Sequence, residues 1–322
     1  MTLPPPFRTT TCGAMRRPWQ SRKAKAFIGG AIVLAGALGV TALIEPRRLR
    51  VVRHEVRIPD LPTALEGFTI AHLSDLHVGM PGMPRSLLQR AIAAAVGARP
   101  DVAVVTGDFV DSGRWHPGLE ELRELTAAVP TFGVLGNHDA YAGPHEQETL
   151  ARGLGTVGVH VLRNSAHLVA KAGQGDERLA LLGVEDPHQG KPNLRLALDG
   201  ITAEVALRVL LAHSPEILLD SAIGEIDLVL IGHTHGGQVR LSPWQHHTTL
   251  DVGLSLSTNG VPVVRGAKVH HEVAVVVSNG VGVSGLPIRL FARPEVGVVS
   301  LHRATGGGRH IRTHHRRAHP DS

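Results

Sequence analysis

F-T-I-A-H-L-S-D-L-H, Phe68 to His77, is an apolar run that passes without a break into a polar block carrying a carboxylate and an imidazole. The same arrangement returns four times. Val102 to Thr106 precedes Gly107-Asp108, Thr131 to Leu135 precedes Gly136-Asn137-His138-Asp139, Arg208 to Leu211 precedes Ala212-His213, and Asp227 to Ile231 precedes Gly232-His233-Thr234-His235. Short runs rich in Val, Ile and Leu read as buried strands. The polar blocks therefore fall at strand carboxyl ends, where open α/β sheets collect ligands because the loops converge there above a rigid floor.

A single Asp or His after a strand is ordinarily a turn or capping residue. Five blocks in order, rich in carboxylate, imidazole and amide groups, instead match a pair of divalent cations. Such pairs sit roughly 3.5 to 4 Å apart and need an anionic bridge against their mutual repulsion. Asp108 is the candidate for that bridge. Asp75, His77 and the second imidazole of the Gly232 block, His235, would complete one shell; Asn137, His213 and the first imidazole, His233, the other. Mixed nitrogen and oxygen donors suit Mn, Fe, Zn, Co or Ni, whereas the lack of a thiolate argues against structural zinc or an iron–sulfur cluster.

The order D-x-H, G-D-x-x-D, G-N-H-D, H and G-H-T-H, from Asp75 to His235, resembles the calcineurin-like metallophosphoesterase family. Gly232 to Val239 (G-H-T-H-G-G-Q-V) and Gly280 to Glu295 (G-V-G-V-S-G-L-P-I-R-L-F-A-R-P-E) resemble its bacterial membrane-associated branch. The likeness runs from about Ile58 to Leu301. It implies an α/β fold, a sandwich of two mixed sheets flanked by helices in four layers. It implies two divalent metals, one held by Asp75, His77, Asp108 and His235, the other by Asp108, Asn137, His213 and His233. In the family's mechanism a metal-bridging hydroxide attacks phosphorus in line, and His138 stabilises or protonates the leaving oxygen. By the same resemblance Asp139 would orient the His138 imidazole, Asp111 would support the site without ligating, and Gly236 and Gly237 would allow close backbone approach. Two features depart from the pattern: the long stretch from Ser242 to Lys268, and Asn279 where a basic residue is expected.

Around the blocks, Ser86 to Val96 and Leu119 to Ala128 have helical composition, and the Val-rich segments after Gly237 read as strands of a second sheet. Asp186 follows another apolar run but reads as a turn before Pro187. His188, like the other histidines outside the motifs, receives no role. A hydrophobic content of 43% with only 3% aromatics makes Val, Leu, Ala and Ile the core material.

Ala26 to Ile44 contains no charged residue and is long enough to span a thin bilayer. It reads as a transmembrane anchor, or as a signal h-region with Val40-Thr41-Ala42 as cleavage site and Arg16-Arg17 as a weak twin-arginine signal. Residues 1–25 read as a basic amino-terminal segment, 45–57 as a basic linker, 58–301 as the catalytic domain and 302–322 as a basic, His-rich disordered tail. Basic flanks on both sides blunt the positive-inside rule, and the favoured orientation puts the amino end inside and the catalytic domain outside. The only cysteine, Cys12, precedes the apolar run, so the core has no disulfide.

The net charge of +5 conceals an uneven distribution. Residues 1–57 hold 11 basic and two acidic residues, and 302–322 hold five and one. Between them 17 basic residues face 25 acidic, a net of −8. The basic ends suit anionic lipid head groups, while an acidic core poor in aromatics lacks the surface of a nucleic-acid binder. The expected partner is a phosphoester, with a lipid-linked diester or pyrophosphate as the first reading. A phosphomonoesterase of soluble metabolites and a tethered metal-binding module without turnover are the rivals. Nothing in the sequence sets the oligomeric state.

Overall fold

The computed structural model describes residues 22–173, 177–201, 205–240, 265–306 and 308–316. The chain divides into two units, Met1–Val40 and Thr41–Ser322. The described part of the first is helix α1 (Arg22–Ile44), which runs a few residues past the boundary. Its apolar side chains face outward, Phe27 being 79% and Val33 72% exposed. The helix is long and apolar enough to cross a membrane, with a mean hydropathy of 2.3.

The second unit runs β1 (Arg50–Ile58), β2 (Thr69–Leu73), α2 (Arg85–Gly97), β3 (Val102–Thr106), α3 (Leu122–Ala128), β4 (Thr131–Val134), α4 (Pro144–Thr156), β5 (Val159–Val161), β6 (Ser165–Ala170) and β7 (Arg178–Gly183). It continues through α5 (Leu194–Leu198), β8 (Leu207–Ala212), β9 (Leu228–Ile231), β10 (Gly266–His270), β11 (Val273–Val277), β12 (Glu295–Arg303) and β13 (His310–Arg316). One mixed sheet has the order β13-β1-β12-β2-β3-β4-β5, the other β10-β11-β9-β8-β7-β6.

Alternation along the strands builds four layers, because successive side chains point to opposite faces. Ile70, Val104, Phe132 and Val299 of the first sheet pack against Leu181, Val209, Leu230 and Val276 of the second. Their neighbours Ala71, Leu73, Ala103 and Val105 face outward and are covered by Leu87, Ala91 and Ile92 of α2 and Leu122 and Leu125 of α3. On the far side Ala180, Leu210 and Val229 meet Leu194 and Ala197 of α5. The parallel strands β2, β3, β4, β8 and β9 are buried on both faces, which is why each reads as a continuous apolar run.

The five strand expectations agree with β2, β3, β4, β8 and β9 to within one residue at each end, as does the first expected helix with α2; the second agrees with α3 at its end but begins three residues early, where Pro117–Glu121 is a 3-10 turn. The ends of the unit differ from the sequence reading. Residues 50–57, expected as part of a linker, belong to β1, which pairs in parallel with β12 and antiparallel with β13. Its apolar residues Val52, Val56 and Ile58 are buried in alternation with half-buried Arg53, Glu55 and Arg57, a period of two that the charge count hid. The tail expected to be disordered contributes His302 and Arg303 to β12 and His310–Arg316 as β13. The strands after Gly237 are shared: β10 and β11 join the second sheet, β12 and β13 the first. Residues 241–264, most of the long stretch noted above, and the last six residues lie outside the described ones.

Candidate metal centre

The loops after β2, β3, β4, β8 and β9 bring every expected ligand to one place, and all seven are buried. His77 Nε2 lies 3.0 Å from His235 Nε2 and 3.4 Å from Asp108 Oδ2. His235 Nε2 lies 3.5 Å from Asp75 Oδ1, and one donor atom from each of these four residues falls within 4.8 Å of the others. Beside them His213 Nε2 is 3.0 Å from Asn137 Oδ1, 3.1 Å from His233 Nδ1 and 3.4 Å from Asp108 Oδ2. The two constellations share one atom, Asp108 Oδ2.

Convergence of this kind distorts the backbone. Asp75, His77, Asp108, His233 and His235 all have positive φ, between 44° and 66°, a region that costs non-glycine residues and is held only where the surroundings enforce it. Backbone bonds do so here. The Asp75 and His77 N–H groups donate to the carbonyls of Gly107 and Asp108, each at 3.0 Å. The His233 N–H donates to the Asp75 carboxylate, and the His138 N–H to Asp108 Oδ1 at 2.9 Å. Gly232 is required for close approach, because a Cβ there would overlap Ser74 Oγ.

Outer contacts fix which atom of each side chain faces inward. The Thr106 carbonyl lies 2.8 Å from His213 Nδ1, so in the neutral ring that nitrogen carries the proton and Nε2 the lone pair. The Asn137 amide nitrogen donates to Tyr141 Oη at 2.9 Å, turning its oxygen toward His213 and His233. His77 Nδ1 is 3.4 Å from Asp111 Oδ1, at ion-pair distance though not aligned as a hydrogen bond. Asp111 thus stands behind His77.

Electrostatics follow the packing. Burial opposes ionisation of Asp108, yet the His213 and His77 imidazoles hold it well below the usual carboxylate range. Burial raises Asp75, with Asp108 adding to the rise. Burial alone would lower His213, but the Asp108 carboxylate overrides it and lifts the imidazole well above its ordinary value. His233 and His235 are pushed well down, first by burial and then by the neighbouring imidazoles. Buried carboxylates and imidazoles therefore neutralise one another within the cluster. A divalent cation suits such a donor set, since it takes the place of the protons that otherwise balance the carboxylates.

Asp139 does not take the expected place behind His138. It does not touch the His138 ring; it is buried and accepts from the Val110 N–H at 3.1 Å and the Gly136 N–H at 2.9 Å, tying the β3 and β4 loops together. Burial, with Asp108 nearby, pushes its carboxyl up to about 7. His138 is oriented by the Asp111 backbone carbonyl, 3.0 Å from Nδ1, and by Ser284 Oγ, 3.3 Å from Nε2.

Further contributors escaped the sequence reading. Ser284 and Gln238 lie in the closing segments but gained no role there; Gln238 bonds the Ser284 backbone and so shapes the rim beside His138. Asp186 forms the expected turn, accepting from the His188 N–H, and also takes the Ser214 hydroxyl next to His213. The His188 ring stacks on His233 with centroids 5.2 Å apart. Asn279 donates to Glu295 and to the Arg293 carbonyl; buried cations of this region are Arg240 and Arg289, the latter bonded to the carbonyls of Asn279 and His235.

A buried carboxylate–imidazole cluster at five strand ends of a two-sheet sandwich defines a metal-dependent phosphoester hydrolase once its relatives are considered. The chain belongs to the calcineurin-like phosphoesterase family, whose model matches residues 68–237. It is 31% identical over 281 residues to an uncharacterized metallophosphoesterase of Aquifex aeolicus, covering 83% of this chain and 97% of that one. It is 30% identical over 277 residues to the Escherichia coli protein named Phosphodiesterase YaeI, covering 84% and 94%. A zebrafish protein named transmembrane protein with metallophosphoesterase domain is 31% identical over 288 residues, 85% of this chain and 62% of that protein's length.

Proposed function

We propose that this chain is a membrane-anchored phosphohydrolase with two metal ions, of the bacterial membrane-associated branch, that cleaves a phosphodiester or pyrophosphate bond in a lipid-linked substrate. The observation that carries the reading is Asp108 Oδ2, 3.4 Å from both His77 Nε2 and His213 Nε2. A carboxylate oxygen common to two donor sets is what a bridged metal pair requires. Asp75, His77, Asp108 and His235 hold one ion, and Asp108, Asn137, His213 and His233 the other. Such ions, when bound, offset charge on phosphoryl oxygens and lower the pKa of water.

The remaining work falls to the chain's own groups. His138 directs Nε2 into the cleft because Asp111 occupies Nδ1, and it is placed to give a proton to the departing oxygen. Thr106 and Tyr141 keep His213 and Asn137 in register, and Asp139 locks the loops that carry Asp108 and Asn137. The diester preference is supported by the name of the Escherichia coli relative; anchoring is supported by α1 and by the name of the zebrafish relative.

Metal analysis and Mn-dependent hydrolysis of bis-p-nitrophenyl phosphate and p-nitrophenyl phosphate by the untagged full-length protein test the reading. About two metals per chain and faster diester cleavage are expected. A folded protein with one metal or none after supplementation would sink it, and faster monoester cleavage would favour a phosphomonoesterase. Orientation is tested separately through Cys12, the only thiol. With the amino end inside, a membrane-impermeant maleimide leaves intact cells unlabelled and labels permeabilised ones.

A further inference from the structure

The cleft outside His138 has a lining that phosphoryl chemistry does not require. It encloses about 750 Å³, and its walls include Met80, Pro81, Tyr141 and Pro287 together with Asp111 and His138. Two loops make one continuous wall, since a Cβ on Gly82 would lie 3.1 Å from Pro287 Cβ. Apolar groups also stand open to solvent around it, Tyr141 at 54% and Leu286 at 56%. Among the described residues no Lys or Arg lines this cleft; Asp111 is its carboxylate.

That composition discriminates between leaving groups. A departing nucleotide, phosphate or sugar acid would place negative charge near Asp111 with no Lys or Arg in the lining to offset it, and like charges brought together are unfavourable. An uncharged alcohol with an apolar body would gain from burial against Met80, Pro81 and Pro287. The geometry points to an apolar leaving-group subsite: the alcohol released beside His138 is uncharged and carries an alkyl or aryl chain. This rests on the phosphohydrolase reading above and deepens it, favouring an ester over a pyrophosphate. In the reaction a water oxygen bonds to phosphorus and the P–O bond to the alcohol breaks, its electron pair leaving on the alcohol oxygen. That oxygen takes a proton from the His138 imidazolium, and the proton released by the water restores the imidazolium.

The test uses the full-length protein in lipid nanodiscs, supplied with Mn, and four esters. They are methyl p-nitrophenyl phosphate, its derivative with a hexyl chain on the departing ring, its derivative with a carboxylate on that ring, and hexyl p-nitrophenyl phosphate, with the chain on the retained side. The ring hexyl chain is expected to raise kcat/KM about tenfold, roughly the worth of burying two CH2 groups. The ring carboxylate is expected to lower it, and the retained-side chain, which controls for partitioning into lipid, to leave it nearly unchanged. In Leu286→Asp and Pro81→Asp variants the ratio of the ring-hexyl to the unsubstituted rate should fall toward one, a ratio independent of the folded fraction. A wild-type ratio of one, a gain that follows the retained chain, or preference for the carboxylate ester would overturn the subsite. Failure to hydrolyse any of the four esters would instead overturn the phosphohydrolase reading on which it rests.

Discussion

Gln238 grips the Ser284 peptide at both ends: its carboxamide oxygen accepts from the Ser284 N–H at 2.9 Å and its amide nitrogen donates to the Ser284 carbonyl at 2.8 Å. A further bond, 3.2 Å to the Leu286 carbonyl, fixes the next turn of the loop. This grip holds Ser284 Oγ beside His138 Nε2. The other His138 nitrogen faces a carbonyl, which can only accept, so in the neutral ring Nε2 is the acceptor and the Ser284 hydroxyl donates.

Gln238→Ala should therefore release the loop and cost about 10- to 100-fold in kcat, the range seen for groups that orient a site from outside. Metal content should be unchanged, since Gln238 donates nothing to the cluster. Loss of metal in this variant, measured by elemental analysis, would show that the loop supports the centre itself.

His138→Ala and Asp108→Ala separate catalysis from ligation. The first should keep both metals and lose about 10²- to 10⁴-fold in turnover, the scale of a missing general acid. The second should lose metal, because one oxygen faces both His77 and His213. Equal metal loss in the two variants would refute the division of roles.

Acid should destabilise the fold through His72. Its ring is fully buried, with Nε2 2.9 Å from Thr106 Oγ1, and burial, with His54 nearby, lowers its pKa from 6.5 to about 3. The unfolded chain takes up this proton below about 6.5 while the folded chain refuses it until about 3. The His72 contribution is thus complete above pH 6.5 and declines as pH falls, by about 1.4 kcal/mol per unit within that window. Between pH 6.5 and 5 the wild type should lose roughly 2 kcal/mol relative to His72→Leu. Denaturant melts of both proteins at several pH values check this; a pH-independent gap would exclude His72 as the source.

Truncations should distinguish β1 from a linker. A chain beginning at Thr41 keeps β1 and should melt cooperatively. One beginning at Ile58 loses the partner of both β12 and β13 along with buried Val52, His54 and Val56. It should fail to give soluble folded protein, and a cooperative thermal transition in that shorter chain would return β1 to the status of a dispensable segment.

The sequence by itself determined the five strand ends and the carboxylate, imidazole and amide groups they carry. Strands buried on both faces must be continuous apolar runs, and a metal shell must be polar, so Leu73–Ser74, Thr106–Gly107 and Ile231–Gly232 are visible as abrupt changes of polarity. It did not determine β1, whose Arg and His residues are interleaved with apolar ones, or β13, in which Ile311 is the one apolar residue. An edge strand and its neighbour keep such residues beside solvent, and composition alone cannot tell that from a linker or a tail. Nor could it decide what Asp139, Ser284, Gln238 and Asp186 do. Each has a contact to a residue at least 28 positions away in sequence, as between Asp186 and Ser214 or His138 and Ser284. Such pairs are made only when two sheets stack and their loops meet at one edge, so tertiary packing alone could turn a strand-end histidine into an aimed one.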